Sequence, residues 1–260
     1  MHNIYTHIVS EIQKYFKTAG IQKAVIGVSG GIDSALCLKL TVDALSAANV
    51  TGILMPEKGV TNEENMIHAK KLCEFLKVNY HSIQINQFLL DFLAVPWKAN
   101  DLAQINLKAR VRMLILYSYA NSKNTMVIGT SNKSELMLGY GTKYGDLAAD
   151  IEVLGDLLKE DVYKLAEHVG LPSEFINKKP SAELYPGQTD EGELGLSYKE
   201  IDPVLKYLSQ GMSKEEILNK GINPAIVLKI FRLNEVNSHK LSMPYLIKIK
   251  PGKKLRLETP

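Results

Sequence analysis

The residues best suited to chemistry stand in one short string, Ser29-Gly30-Gly31-Ile32-Asp33-Ser34, directly after the apolar run Ala24-Val25-Ile26-Gly27-Val28. The order reads as strand, anion-binding loop, helix. Gly30 and Gly31 carry no Cβ, so the backbone there can take positive φ and turn several N–H groups towards one anion, while Ser29 and Ser34 add hydroxyls. The helix beginning at Ile32 points its N-terminal dipole at the same spot. Gly27, Val28, Ser29, Gly30, Gly31, Ile32, Asp33 and Ser34 thus form a candidate phosphate cradle. Asp33 makes sense beside a phosphate only with a cation between them, and it is read as a Mg²⁺ ligand. No lysine lies between Gly27 and Ser34, so the loop is not the G-x-x-x-x-G-K-[ST] type, and the G-x-G-x-x-G pattern also fails. An ordinary tight strand-to-helix turn is the alternative.

Four further segments carry candidate groups. In Gly129-Thr-Ser-Asn-Lys-Ser-Glu135, hydroxyls and a carboxylate follow another apolar run, so Thr130 and Glu135 fall where a nucleotide would sit. Glu135 reads either as a second acidic ligand for Mg²⁺ or as a first-turn glutamate favoured by the helix dipole. The stretch Leu138 to Asp150 is glycine-rich yet holds Lys143, Asp146 and Asp150; composition alone favours a flexible surface loop. Asn106 and Arg110 lie four apart on one helical face, among Leu102, Met113, Leu114 and Tyr117. An arginine in so apolar a setting needs an anionic partner, since an unpaired buried guanidinium costs roughly several kcal/mol; a structural salt bridge and a ligand contact fit equally. Lys159 opens a helix, where a solvated charge is the ordinary reading.

The chain supplies a frame for these groups. Ile4, Ile8, Ile12 and Tyr15 recur at helical intervals and stop near Ala19-Gly20. Ile32 to Ala48 is helical, and Val50 to Met55 is a buried strand stopped by Pro56. Thr61-Asn-Glu-Glu reads as a capping box opening a helix with Met66, Ala69, Cys73 and Leu76 on one face. Tyr80 to Ile85 is a third strand, Asp101 to Ala120 a helix, Thr125 to Gly129 a fourth strand, and Tyr198 to Asn237 a set of short helices broken at Gly211 and Asn223-Pro224. Strands alternating with helices predict an α/β fold: a doubly wound parallel sheet with flanking helices, binding ligands at the strands' carboxyl ends. Residues 1–245 are expected to form a single domain and 246–260 a basic tail.

Composition narrows the class. The 260 residues, 45% hydrophobic and 23% charged, suit a soluble protein with a full-sized core. A net charge of +3 suits an anionic substrate and is too weak to argue for nucleic acid. Cys37 and Cys73 form no C-x-x-C, so buried thiols in a reducing cytoplasm are expected. Neither a membrane-spanning run nor a signal peptide is visible, which adds to the expectation of a cytoplasmic protein.

Specific strings go further. SGGIDS resembles the SGGxDS loop of the N-type ATP pyrophosphatases, which split ATP between the α- and β-phosphates and adenylylate a substrate. GYGTKYGDLAAD resembles the T-K-x-G-D-x-x-A-D signature of the NAD synthetases, and Asn106-x-x-x-Arg110 is similar to their N-x-x-A-R segment. GTSNKSE resembles their GT-to-E stretch. Lys179-Pro-Ser-Ala-Glu-Leu184 and Gln188-Thr-Asp-Glu-Gly-Glu-Leu-Gly195 resemble their P-[TS]-A-[DE]-L and Q-x-D-E-x-E-L-G motifs, with Ser181 where threonine is common. His239-Lys240 looks like their penultimate His-Lys pair. The likeness covers the chain from its first helix to about Pro244.

The resemblance implies an adenine nucleotide alpha hydrolase-like, Rossmann-like domain that amidates deamido-NAD with ammonia, through an adenylylated intermediate, to give NAD, AMP and pyrophosphate. It implies ATP contacts from the loop of Gly27 to Ser34 and from Thr130, Lys159 and Ser181, with Mg²⁺ on Asp33 and Glu135. It assigns deamido-NAD to Asn106, Arg110, Lys143, Asp150, His239 and Lys240, with Asp146 shaping the same site. Asp33 and Lys159 would then carry the catalysis, stabilising the departing pyrophosphate without a covalent protein intermediate. A homodimer with substrate near its interface is implied, and the polar, Gly/Pro-punctuated stretch from Ser181 to Leu196 is expected as a lid or a disordered loop. Glutamine-dependent relatives carry an added amidase domain; the synthetase pattern begins here almost at once, so free ammonia is the expected donor unless a separate glutaminase supplies it. Two alternatives stay open. One is another adenylating enzyme, a GMP synthetase-like subunit or a tRNA-thiolating enzyme, although Cys37 and Cys73 fit thiolation poorly. The other is a nucleotide sensor, against which Asp33, Glu135 and Lys159 argue.

Overall fold

The structure is a computed structural model that describes residues 1–178, 180, 181, 185 and 187–247. Among these, five parallel strands form one sheet: β1 (Ala24–Gly27), β2 (Val50–Leu54), β3 (Asn79–Ser82), β4 (Met126–Gly129) and β5 (Ile151–Glu152). Their spatial order is β3-β2-β1-β4-β5. In register, Ala24 of β1 lies between Val50 and Met126. Ala24, Val25 and Ile26 are fully buried, as expected of a central parallel strand covered on both faces.

The helices are α1 (His2–Ala19), α2 (Ile32–Leu45), α3 (Glu63–Phe75), α4 (Asn86–Asp91), α5 (Asp101–Lys123), α6 (Lys133–Leu138), α7 (Lys159–His168), α8 (Ser173–Ile176), α9 (Asp190–Leu194), α10 (Tyr198–Ser209), α11 (Lys214–Leu218) and α12 (Pro224–Asn237). Ile12 and Phe16 of α1, Leu36 and Leu40 of α2, and Val162 and Leu165 of α7 fill one side of the sheet. On the other, Ala120 of α5 packs with Val25, Ile53 and Val127. Each such buried side chain contributes about 1.5–3 kcal/mol. A separate cluster from α10, α11 and α12, including Ile201, Val204, Ile217 and Ile230, closes on Leu138 of α6. The short helix α6 thereby joins the sheet to this helical cluster.

After β1 the chain winds one way to β2 and β3, then crosses to β4 and β5 on the other side. The loops leaving β1 and β4 part company there and open a crevice at the strands' carboxyl ends. The doubly wound single domain expected from the sequence is the architecture seen, with four corrections. There is a fifth strand, β5, paired to Ile128 and Gly129; at two residues it is too short to show a period. The third strand ends at Ser82, on the sheet edge, and the buried Ile85 lies beyond it. The helix after the loop stops at Leu45 and gives way to a 3₁₀ turn over Ala47–Asn49. Finally, Asn62 caps α3, accepting from Glu64 N; Thr61 accepts from Glu57 N at 2.9 Å and braces the preceding turn. Among the described residues no helix is long and apolar enough to cross a membrane. Of the expected basic tail, residues 248–260 lie outside the described residues.

Candidate active site

A cavity of about 460 Å³ occupies the crevice, lined by Gly27, Val28, Ser29, Gly31, Ile32, Asp33 and Ser34 after β1, and by Thr130, Ser131 and Glu135 after β4. That volume is within the range of small-molecule sites. Gly30 takes the left-handed φ of +79° expected of it, and a Cβ there would lie 2.5 Å from the Asn65 carbonyl oxygen. Gly31 departs from expectation: its φ is −88°, and it serves as the extended N-cap of α2. The two loop hydroxyls bond to each other at 3.1 Å; Ser34 Oγ also donates to Gly31 O, and Ser29 Oγ accepts from Gly31 N. They brace the loop from within.

Asp33, in the first turn of α2, meets two residues distant in sequence. Its Oδ2 lies 2.5 Å from Lys159 Nζ, and its Oδ1 accepts from Asn132 Nδ2 at 2.9 Å. Glu135 Oε1 lies 3.5 Å from the same Nζ. Lys159 is 1% exposed and does not line the cavity; its ammonium stands behind the two carboxylates. Burial alone would depress this lysine's pKa, but Asp33 and Glu135 outweigh it and hold the pKa above the ordinary value. Burial pushes Glu135 up to about 8; Lys159 opposes the rise, and Asp33 and Asp190 add to it. Asp190 of α9 also lines the cavity, with its own carboxyl raised by burial.

Three carboxyl groups surround one ammonium, and burial makes ionising Glu135 and Asp190 costly unless a further cation joins them. Oxygen donors from two carboxylates, with phosphates and water to complete the shell, are what Mg²⁺ takes. Among the described residues no cluster of three metal-ligating side chains occurs, so a metal here would depend on its nucleotide. Asp33 and Glu135 therefore fit the ion assigned to them.

The structure places the remaining expected residues in two groups. Asn106 lines the cavity and accepts from Thr142 Oγ1 at 2.8 Å; Lys240 lines it too, donating to Gly139 O and Gly141 O; Ser181 lines it and donates to Gln188 O. Arg110, Lys143 and His239 form a second group on the rim: Arg110 donates to Lys143 O, and Lys143 Nζ to His239 O at 2.6 Å. Arg110 is exposed, which corrects the apolar setting expected of it; its guanidinium donates to a carbonyl at the surface and needs no buried anion. Asp150 lies outside the cavity, its carboxylate accepting from Val127 N at 2.7 Å and Tyr117 OH at 3.4 Å. Of the expected lid, Asp190–Leu194 is helical, capped by Thr189, while Ala182, Glu183, Leu184 and Pro186 lie outside the described residues, as does Lys179.

Sequence reading missed Asn132, Asp190 and Asp202. Asn132 is fully buried; it caps α6 in a reciprocal box with Glu135 while its amide reaches Asp33. The Asn132-x-x-Glu135 spacing was the signal for it.

The family model for NAD synthase matches residues 4–244 of the chain. The chain belongs to the NAD synthase family. It is 41% identical over 251 residues to the NH(3)-dependent NAD(+) synthetase of Fusobacterium nucleatum, covering 96% of this chain and 97% of that one. To the NH(3)-dependent NAD(+) synthetase of Methanosarcina mazei it is 44% identical over 248 residues, covering 94% and 97%. Two solved structures share this architecture. The NH3-dependent NAD synthetase of Campylobacter jejuni superposes with a TM-score of 0.82 at 36% identity, over 95% of this chain and 98% of that one. The NMN synthetase of Francisella tularensis does so with 0.84 at 31%, over the same shares. The five-stranded parallel sheet is thus the NAD synthase fold.

Proposed function

We propose that this chain is a ligase that amidates deamido-NAD with ammonia at the expense of ATP, giving NAD, AMP and pyrophosphate, the final step of NAD biosynthesis. The reading is carried by the convergence of Asp33, Lys159 and Glu135, from three elements, beside the Ser29–Ser34 loop. A carboxylate is a poor acyl donor because oxide would have to leave. One oxygen of the nicotinate carboxylate attacks the α-phosphorus of ATP, the bond to the β-phosphate bridge breaks, and pyrophosphate departs. Ammonia then attacks the acyl carbon of the mixed anhydride, the C–O bond breaks, AMP leaves with that oxygen, and the nitrogen sheds a proton.

The protein's part is positional and electrostatic. N–H groups of the loop and the N-terminus of α2 hold the phosphates, with Thr130 and Ser181 on the cavity wall as further ATP contacts. Lys159 places a fixed positive charge next to Asp33. Asp33 and Glu135 would hold Mg²⁺, which when bound supplies Lewis-acid charge at the phosphate oxygens. Asn106 and Lys240 are assigned to deamido-NAD within the cavity, and Arg110, Lys143, Asp150 and His239 on the surface around it. Ammonia as donor is supported by the likeness to NH(3)-dependent relatives over nearly their whole length.

A homodimer is part of the reading. Leu93 is 78% exposed and Trp97 66%, and with Leu90 and Leu114 they put an apolar face on α4, α5 and the segment between. Leu102 extends this face to the cavity, so a second copy docked there would complete the rim. Cys37 and Cys73 are buried free thiols, in keeping with a reducing cytoplasm.

The test is to incubate the chain with MgATP, ammonium and either deamido-NAD or nicotinate mononucleotide. NAD, AMP and pyrophosphate in equal amounts are expected. ADP and phosphate, or faster turnover of the mononucleotide, would overturn the reading.

A further inference from the structure

The ammonium of Lys159 is only as well placed as the first turn of α7, because Lys159 is that helix's first residue. The first N–H groups of a helix have no partner within it. Here the N-cap is Leu158, which offers no side-chain acceptor. The missing partners come from α10 and α6. Asp202 Oδ2 accepts from Glu160 N at 2.8 Å, and Asp202 Oδ1 accepts from Ser134 Oγ at 2.5 Å. Ser134 Oγ in turn accepts from Lys159 N at 3.0 Å.

Asp202 is 2% exposed and Ser134 fully buried, so this is a desolvated network with the carboxylate at its centre. Ser134 directly precedes Glu135. One carboxylate therefore fixes both the helix start that projects Lys159 and the turn that projects Glu135. Four residues before Asp202 on the same face of α10, Tyr198 sets its ring 5.2 Å from Lys159 Nζ. The helix α10 thus holds the turn that carries Lys159, at Glu160 N directly and at Lys159 N through Ser134, and sets the Tyr198 ring beside its charge.

We infer that Asp202, acting through Ser134, is a positioning residue for the adenylylation centre, holding Lys159 and Glu135 in place from the helical cluster. The inference rests on the proposed amidation reaction. If that reading is wrong the unaltered chain makes no NAD, whereas this inference is judged on variants relative to an active parent.

The experiment is steady-state kinetics of Asp202→Asn, which keeps the shape but leaves one acceptor oxygen for the two donors, Glu160 N and Ser134 Oγ. A fall in kcat of ~10- to 100-fold is expected, with KM for deamido-NAD held within about twofold. In a Lys159→Met background the same substitution should cost clearly less than in the parent, because the part of its effect that passes through Lys159 is gone and only the part through Glu135 remains. An unchanged kcat, a change confined to KM, or an equal loss in the Lys159→Met background would overturn the inference. Ser134→Ala keeps the buried carboxylate and its bond to Glu160 N, and serves if Asp202→Asn does not fold. It should lower kcat with KM unmoved; a parental kcat in a folded Ser134→Ala chain would also overturn the inference.

Discussion

Lys159 Nζ lies 2.5 Å from Asp33 Oδ2, across 126 residues of sequence, with Glu135 Oε1 3.5 Å away on the same ammonium. This pairing ties the turn after β1, the helix after β4 and the start of α7 into one centre. Breaking a buried ion pair from one side leaves the partner charge uncompensated, at a cost of about 3–5 kcal/mol. Lys159→Ala should therefore lower the thermal midpoint sharply, as followed by circular dichroism. A midpoint near the parent's would mean that the pair contributes little to the fold.

Asp33→Asn separates chemistry from stability. The amide keeps the shape of the side chain, and Lys159 retains Glu135, so the far-ultraviolet spectrum and a cooperative melt should persist. Mg²⁺-dependent release of pyrophosphate should be lost. A fully active Asp33→Asn chain would remove the metal role given to this carboxylate.

The loop glycines should differ in a way the sequence alone does not show. Gly30→Ala meets both a φ of +79° and the Asn65 carbonyl, and should destabilise by roughly 2 kcal/mol or more. Gly31→Ala, at φ −88° with Ser29 Oγ 3.4 Å from the added carbon, should cost about 1 kcal/mol or less. Urea unfolding of the two variants compares them directly, and equal losses would contradict the loop geometry.

Glu152 sits against Gly129, accepts from Ser131 N at 3.1 Å, and has its carboxyl pushed up to about 7 by burial, against an ordinary 4.5, with Asp146 adding to the rise. The folded chain then holds this proton more tightly than the unfolded chain. The stability it confers is full below about pH 4.5 and is lost as pH rises through about 7, by on the order of 3 kcal/mol at most. Glu152→Gln should flatten that slope. Urea midpoints at pH 5 and pH 8 for both chains test this, and parallel slopes would refute it.

Much of this was legible in sequence because the signals are local. The buried run of β1, the glycine turn after it and the helical spacing of α1 and α5 each lie within a few residues of one another. What stayed hidden depends on long-range pairing. β5 exists because Ile151 and Glu152 meet Ile128 and Gly129, and Asn132 earns its place at the site through a bond to a carboxylate 99 residues away. Arg110 shows the same limit from the other side: its helical neighbours are apolar, but nothing local says that the guanidinium itself stands at the surface. Asp202 gains its part only because α10 packs against α7 and brings its carboxylate to Glu160 N and Ser134 Oγ.

Transfer of AMP to the substrate carboxylate is the central claim, and an oxygen label tests it most directly. Deamido-NAD carrying ¹⁸O in both carboxylate oxygens is turned over with MgATP and ammonium, and the products are analysed by mass spectrometry. One ¹⁸O should appear in each AMP formed, with one retained in the amide of NAD. Label in inorganic phosphate, or AMP without label, would contradict the adenylylated intermediate.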